Sequence, residues 1–233
     1  MAVRPVVLAL SRSGEDTAHR VAKAIDAQVH GREGRVEQAD AFFANALDHA
    51  RDLFAAGVPI VGVCASGILI RGVAPLLADK RAEPPVVSVS DDGSVVVPLL
   101  GGHRGANRLA REISEALGGV AAVTTAGDVA LGVALDEPPV GYALANPEDA
   151  KGAMAAMLGS AGVQVKGENI FGIENTGTGV ELIVTDTRQQ GSETALVYHP
   201  QRFVLGLGCA RNNDPAEMWE QVQAVLHEAG VAA

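Results

Sequence analysis

The 233-residue chain is short of cysteine, aromatic rings and positive charge, and each shortage closes a class of function. Its two cysteines, Cys64 and Cys209, match neither a zinc-ligand spacing nor a disulfide framework, and point to a reducing, cytoplasmic setting. One Trp, two Tyr and five Phe leave few rings to stack on bases. Eighteen Lys and Arg against 28 Asp and Glu give a formal charge of −10, the wrong sign for a nucleic-acid partner. No apolar run reaches the length of a bilayer span, and the first residues lead into a strand pattern without a cleavable signal, so no membrane partner is expected. No Walker sequence occurs. Gly206-Leu207-Gly208 lacks the third glycine of a dinucleotide fingerprint, and Cys64 stands where a serine-hydrolase elbow around Ser66 needs its first glycine. A cysteine at a strand end is chiefly a small buried hydrophobe.

What the chain does have is apolar content, 48%, in short runs separated by helical patterns and by many of its 27 glycines. Stretches 5–10, 59–64 and 120–124 read as buried strands, and 15–27, 41–56 and 68–78 as helices, with a short strand at 36–40. Strands at 86–90 and 94–98 flank Asp91-Asp92-Gly93, a hairpin signal. The pattern breaks near 136–146. Beyond it come a helix at 148–158, strands at 163–165, 170–173, 180–185 and 195–199, a strand at 203–208, and a helix from Pro215 capped by Asp214. This alternation predicts an α/β fold: a mostly parallel, Rossmann-like sheet with helices on both faces, followed by a smaller α/β domain with an antiparallel part. The expected divisions are 1–137, 138–202 and 203–233, the last being the start of a third, truncated domain.

The stretch from Val95 to Gly119 organises the chain. A β-branched run leads into Gly101-Gly102-His103-Arg104-Gly105, and then a helix opens in which Leu109, Ile113 and Leu117 share one face. Bare glycine backbone at a helix start lets an anion approach, and His103 adds a group that titrates near neutrality. Loops 65–67, 101–105 and 124–128 each follow a strand, so they are expected to share one cleft at the C-terminal edge of the sheet. Arg71, Lys80, Arg81, Arg104, Arg108 and Arg111 gather six of the eighteen basic residues into one stretch, which suggests a polyanionic ligand. The other histidines, His19, His30, His49, His199 and His227, show no metal-ligand spacing and read as surface or turn residues.

Four motifs in order carry a resemblance. Ala65-Ser66-Gly67-Ile68-Leu69-Ile70-Arg71, Ala74-Pro75-Leu76-Leu77-Ala78-Asp79-Lys80-Arg81, Pro98 to Asn107 and Thr124-Thr125-Ala126-Gly127-Asp128 resemble the CbiG-type family of cobalamin biosynthesis, the cobalt-precorrin-5A hydrolases. The likeness is strongest over about residues 55–130 and also touches Phe203–Cys209. The family's usual G-H-x-G-G-A-N is shortened here, because Gly105 stands alone before Ala106-Asn107. That form resembles the segment fused ahead of a precorrin-3B methyltransferase in some bacteria.

The resemblance implies a hydrolase that opens the ring-A δ-lactone of a corrin precursor and releases a two-carbon fragment as acetaldehyde. The partner is then a tetrapyrrole edged with carboxylates, with contact to other enzymes of corrin synthesis. Cobalt would enter only inside the substrate, with no resident cofactor or protein metal site. In this reading His103 is the base, with Asp128 as the next carboxylate, and Gly101 and Gly102 donate N–H groups to the oxyanion. Arg71 and Lys80 clamp carboxylates, while Ser66, Gly67, Arg104, Asn107, Thr124 and Thr125 line or orient the substrate. The alternative is a non-catalytic module that binds a tetrapyrrole or docks a methyltransferase.

Overall fold

The computed structural model describes residues 3–79, 82–125, 129, 132–159, 161–202, 205–209 and 214–232, in two compact units, 1–126 and 127–233. In the first unit, buried Val and Leu runs form β1 (Val6–Ala9), β4 (Ile60–Val63) and β5 (Val86–Val89), with β2 (Gln28–Arg32) and β3 (Ala41–Phe43) to one side. β6 (Val95–Leu100) and β7 (Val120–Ala121) complete a seven-stranded sheet in the order β3-β2-β1-β4-β5-β6-β7. All neighbours are parallel except β5 and β6, which pair antiparallel through the Asp91-Asp92-Gly93 turn.

Helices cover both faces, as the alternation predicts. α1 (Glu15–Ala24) and α4 (Ala106–Leu117) bury Ala18, Val21, Ala110 and Ile113 against Val7, Val61, Val87 and Val96. α2 (Ala46–Ala55) and α3 (Ser66–Val73) bury Ala50, Phe54, Leu69 and Val73 against Leu8, Ile60 and Val86. Gly62 permits this packing, since a Cβ there would stand 2.9 Å from both Leu69 methyls.

The second unit carries β8 (Tyr142–Leu144), α5 (Ala150–Leu158), β9 (Val163–Lys166), β10 (Val180–Val184) and β11 (Ala195–Pro200), followed by α6 (Pro215–Glu228). Its sheet runs β8-β11-β10-β9, antiparallel only between β8 and β11. Buried Asn146 ties it together: its Nδ2 donates to Asp149 Oδ2 (2.7 Å) and the Ala195 carbonyl (3.1 Å), and its Oδ1 accepts from Val197 N (3.0 Å). Tyr198 is fully buried and donates its hydroxyl to the Leu135 carbonyl at 2.8 Å. No helix among the described residues is long and apolar enough to cross a membrane.

Three local expectations are corrected. The strand expected at 36–40 lies instead at Ala41–Phe43, and the helix begins at Ala46 rather than Ala41. Asn45 decides this, because its side chain accepts from Leu47 N (2.9 Å) and Asp48 N (3.4 Å) and so caps the helix. Residues 170–173 form no strand. The Asn169 side chain bonds both backbone groups of Ile173, donating to its carbonyl at 2.8 Å and accepting from its N–H at 3.2 Å, which closes a local loop instead. Of the run 203–208, residues 205–208 are not in a strand and Leu205 and Leu207 are exposed, whereas 203 and 204 lie outside the described residues.

The elbow after β6 has a backbone consequence. Gly101 holds φ +71°, and a Cβ there would meet the Pro84 carbonyl oxygen at 2.7 Å and Pro85 N at 2.8 Å. Gly34 has a similar φ, +67°, but nothing within 4 Å. Gly34→Ala should therefore cost only the left-handed penalty, about 1–2 kcal/mol. Gly101→Ala adds a clash with backbone that has no room to yield, for about 3–5 kcal/mol in all. Urea midpoints of the two variants measure the difference, and equal losses would contradict the packing at Gly101.

Candidate functional site

The hairpin between β5 and β6 separates the three loops that the alternation suggested would meet. Residue 86 pairs with residue 100 and residue 89 with residue 96, so β6 ends where β5 begins. The loop 65–67 after β4 thus lies at the C-terminal edge of the parallel strands. The elbow 101–105 after β6 lies at the opposite edge, beside Pro84 and Pro85. The four residues of β5 between them span roughly 13 Å at about 3.3 Å each. The shared cleft is overturned: Ser66, Gly67 and Arg71 form one group, and Gly101, Gly102, Arg104, Asn107, Thr124 and Thr125 another. The basic stretch divides likewise, with Arg71 on α3, Arg104 in the elbow, and Arg108 and Arg111 on α4, which packs on the other face of the sheet.

The elbow is a built turn. The Gly101 carbonyl accepts from Arg104 N (2.9 Å) and Ala106 N (3.1 Å), and Gly105 enters α4 with φ +103°. Asn107 is buried and donates from Nδ2 to Thr125 Oγ1 at 2.9 Å, which joins the start of α4 to the chain beyond β7. The Arg104 guanidinium donates to the Ala82 carbonyl at 3.0 Å. His103 has its backbone in the 3-10 turn Gly102–Arg104, while its side chain, Lys80, Arg81 and Asp128 lie outside the described residues.

The C-terminal edge has the strand order at which open α/β sheets bind ligands, because the chain reverses its direction of growth between β1 and β4. The loops after β1 and β5 are knit together there. Asp91 accepts from Ser13 Oγ (2.5 Å) and Ser11 Oγ (3.3 Å), and the Asp91 carbonyl accepts from Thr17 Oγ1 (2.7 Å). Burial, with some help from Asp91, pushes the Cys64 thiol up to about 12, so it carries almost no thiolate at neutral pH.

α3 starts without a side-chain cap and without an acidic residue in its first turn. The Arg71 guanidinium folds against that turn, 3.3 Å from where a Gly67 Cβ would stand. A cavity of about 410 Å³ opens beside it, between Leu10, Arg32, Asn45, Leu47, Ile68 and Arg71. Neither Arg32 nor Arg71 has a carboxylate partner among the described residues, and no acidic residue lines the cavity. The Arg71 guanidinium at an uncapped helix start, with Arg32 lining the same cavity, makes a region of positive potential, which suits an anion. Sequence reasoning found Arg71 but missed Arg32. Its signal was the alternation in Gln28–Arg32, which puts His30 and Arg32 on one face of the strand.

Residues 48–128 match the family described as cobalamin synthesis G N-terminal. A cobalt-precorrin-5A hydrolase of Priestia megaterium is 29% identical over 205 residues, covering 76% of this chain and 55% of that protein. A cobalt-precorrin-5A hydrolase of Salmonella typhimurium is 41% identical over 98 residues, 42% of this chain and 27% of that protein. This chain therefore spans about half the length of the first relative and about a quarter of the second. The solved structure of a cobalamin biosynthesis protein G homolog from Sulfolobus solfataricus aligns with a TM-score of 0.49 at 18% identity, over 98% of this chain and 70% of that one.

The matched stretch begins beside His49, which is half-buried. Its Nε2 lies 2.9 Å from His30 Nδ1, two residues before Arg32 on β2, and its ring stacks on Phe43 at 4.7 Å. One ring must offer a lone pair to the other's N–H, so the contact requires at least one neutral imidazole. Burial, and for His30 also the charge of His49, lowers both pKa values from the ordinary 6.5, while Asp40 and Asp52 pull the other way. A lowered histidine pKa means that the unfolded chain takes up protons first. The pair's contribution is full above about pH 6.5 and is lost as pH falls below it. Urea stability should decline on acidification from pH 7.5 to 5.5, and His49→Gln should flatten that slope. An unchanged slope in His49→Gln would remove the pair as its cause.

Proposed function

We propose, from the premise that this chain belongs through residues 48–128 to the cobalamin synthesis G family, that it binds a cobalt-precorrin intermediate and serves hydrolysis of its ring-A lactone, with release of acetaldehyde. The observation that carries this reading is Arg71. Its guanidinium lies at the C-terminal edge of the sheet, against an uncapped helix start and with no carboxylate of its own among the described residues. A corrin precursor supplies the missing anions, since acetate and propionate groups edge its ring.

Lactone opening needs water made nucleophilic and donors for the carbonyl oxygen as it gains charge. At the C-terminal edge, Ser66 can orient water. Asp91, held by Ser11 and Ser13, is a carboxylate there able to accept its proton. The water oxygen then bonds to the lactone carbonyl carbon, and the lactone C–O bond breaks to leave a carboxylate and an alcohol. The bond from the carbinol carbon to the macrocycle breaks next: the alcohol oxygen becomes the carbonyl of acetaldehyde, and the proton it loses is taken up at the ring carbon that held the fragment. Cobalt travels as part of the substrate in this scheme. A second reading keeps the chemistry at the elbow, with His103 as base and Gly101 and Gly102 as oxyanion donors. The buried Asn107–Thr125 contact that steadies that turn favours it.

Acetaldehyde release from the lactone-bearing precursor tests both readings. With the C-terminal edge as the site, Arg71→Ala should lower kcat/KM about 10- to 100-fold, the worth of one charge-assisted contact, and less so in high salt. His103→Asn should then change little. With the elbow as the site, His103→Asn should cost about a hundred- to ten-thousand-fold and abolish the rise of rate with pH. Acetaldehyde release that does not depend on added protein would end the hydrolase reading.

A further inference from the structure

The cavity at Arg32 and Arg71 is more specific than an anion-attracting surface. Its lining is of two kinds: Arg32 and Arg71 carry charge, while Leu10, Ala46, Leu47 and Ile68 are aliphatic. Asn45, the other polar lining side chain, already accepts from two N–H groups of α2. The nearest acidic residue on α2, Asp48, is paired with Arg51 at 2.9 Å. At about 410 Å³ the space lies at the small end of ligand pockets, too small to enclose a whole tetrapyrrole and ample for one side arm. Hydrophobic walls favour methylene groups, and two guanidinium forks favour a planar carboxylate at their tip. Inorganic phosphate would satisfy the arginines but leave the apolar walls facing water.

We propose that Arg32 and Arg71 grip a single short alkyl carboxylate arm of the ligand, with the arm's methylenes between Leu10, Leu47 and Ile68 and the rest of the ligand outside. Arg32 is the specificity residue of this subsite. The identity of the larger ligand rests on the functional reading above, but the subsite itself does not. The arm's carboxylate accepts N–H groups from both forks, which is why a neutral ester cannot replace it.

The experiment titrates the full chain, observed by amide NMR, with sodium propionate and with inorganic phosphate at matched ionic strength. A fluorescence titration with coproporphyrin, which carries four propionate arms, and with its tetramethyl ester follows. Propionate should shift the amides of residues 44–47 and 67–71 and bind more tightly than phosphate, and coproporphyrin should bind while its ester does not. Arg32→Gln and Arg71→Gln should each weaken propionate and coproporphyrin about 10-fold or more, with the double variant little worse than either, because both act on one arm. Phosphate binding as tightly as propionate, or Arg32→Gln leaving both affinities intact, would overturn the subsite. Propionate bound in an Arg32-dependent way with no coproporphyrin binding would keep the subsite and count against the tetrapyrrole reading.

Discussion

The turn at Asp91-Asp92-Gly93 is the constraint on which the rest of the first unit depends. Asp92 accepts from the Ser90 hydroxyl (2.6 Å), Ser94 N (3.0 Å) and the Ser94 hydroxyl (2.8 Å), and these bonds hold its carboxyl down to about 2. Gly93 supplies φ +75°. A tight turn can only join antiparallel strands, so β6 and β7 run in the opposite sense to β1–β5. The glycine elbow is thereby sent to the far edge of the sheet. Asp91, the first residue of the same turn, stays at the near edge and holds the loop after β1 through Ser11 and Ser13.

That reversal changes what the glycines mean. Gly101 is required because the backbone of Pro84 and Pro85 leaves no room for a Cβ, so packing alone explains it. Its role at a ligand is a separate matter that the glycine itself does not argue. At the near edge the reasoning runs the other way. Neither Arg71 nor Arg32 has a carboxylate partner among the described residues. On a chain with ten more acidic than basic residues, two arginines lining one cavity without such a partner form a local excess of positive charge, which is the basis of the subsite proposed above.

The histidine pair shows how one packing surface can serve two purposes. His30 and His49 join β2 to α2 by a contact that needs a neutral ring, and Phe43 from β3 stacks on it. The same strand continues to Arg32, and the same helix opens one turn earlier at Asn45 and Ala46, which line the cavity. The wall of the proposed subsite is therefore held by a contact that weakens on acidification, through the same burial that lowers both histidines.

Much of the fold was legible because its signals are local. The short Val-rich runs at β1, β4 and β5, the helical spacing of α4, the hairpin triplet and the Asp214-Pro215 helix start depend on neighbours within a few residues. The departures at 36–45 and 170–173 are local as well: the side chains of Asn45 and Asn169 bond backbone that regular structure would otherwise use. The family resemblance belongs to the same category, since it rests on contiguous motifs between 55 and 130. Which loops share an edge is different in kind. It depends on the sign of every strand pairing between them, and one antiparallel pair inverts the answer. The sequence by itself determined most of the elements, the α/β character with helices on both faces of the first sheet, and Arg71 as a residue with chemistry to offer. Only the tertiary structure decided that Arg71 shares a cavity with Arg32 and not an edge with the glycine elbow, because residues 39 positions apart come to one edge through strand order, which no local pattern encodes.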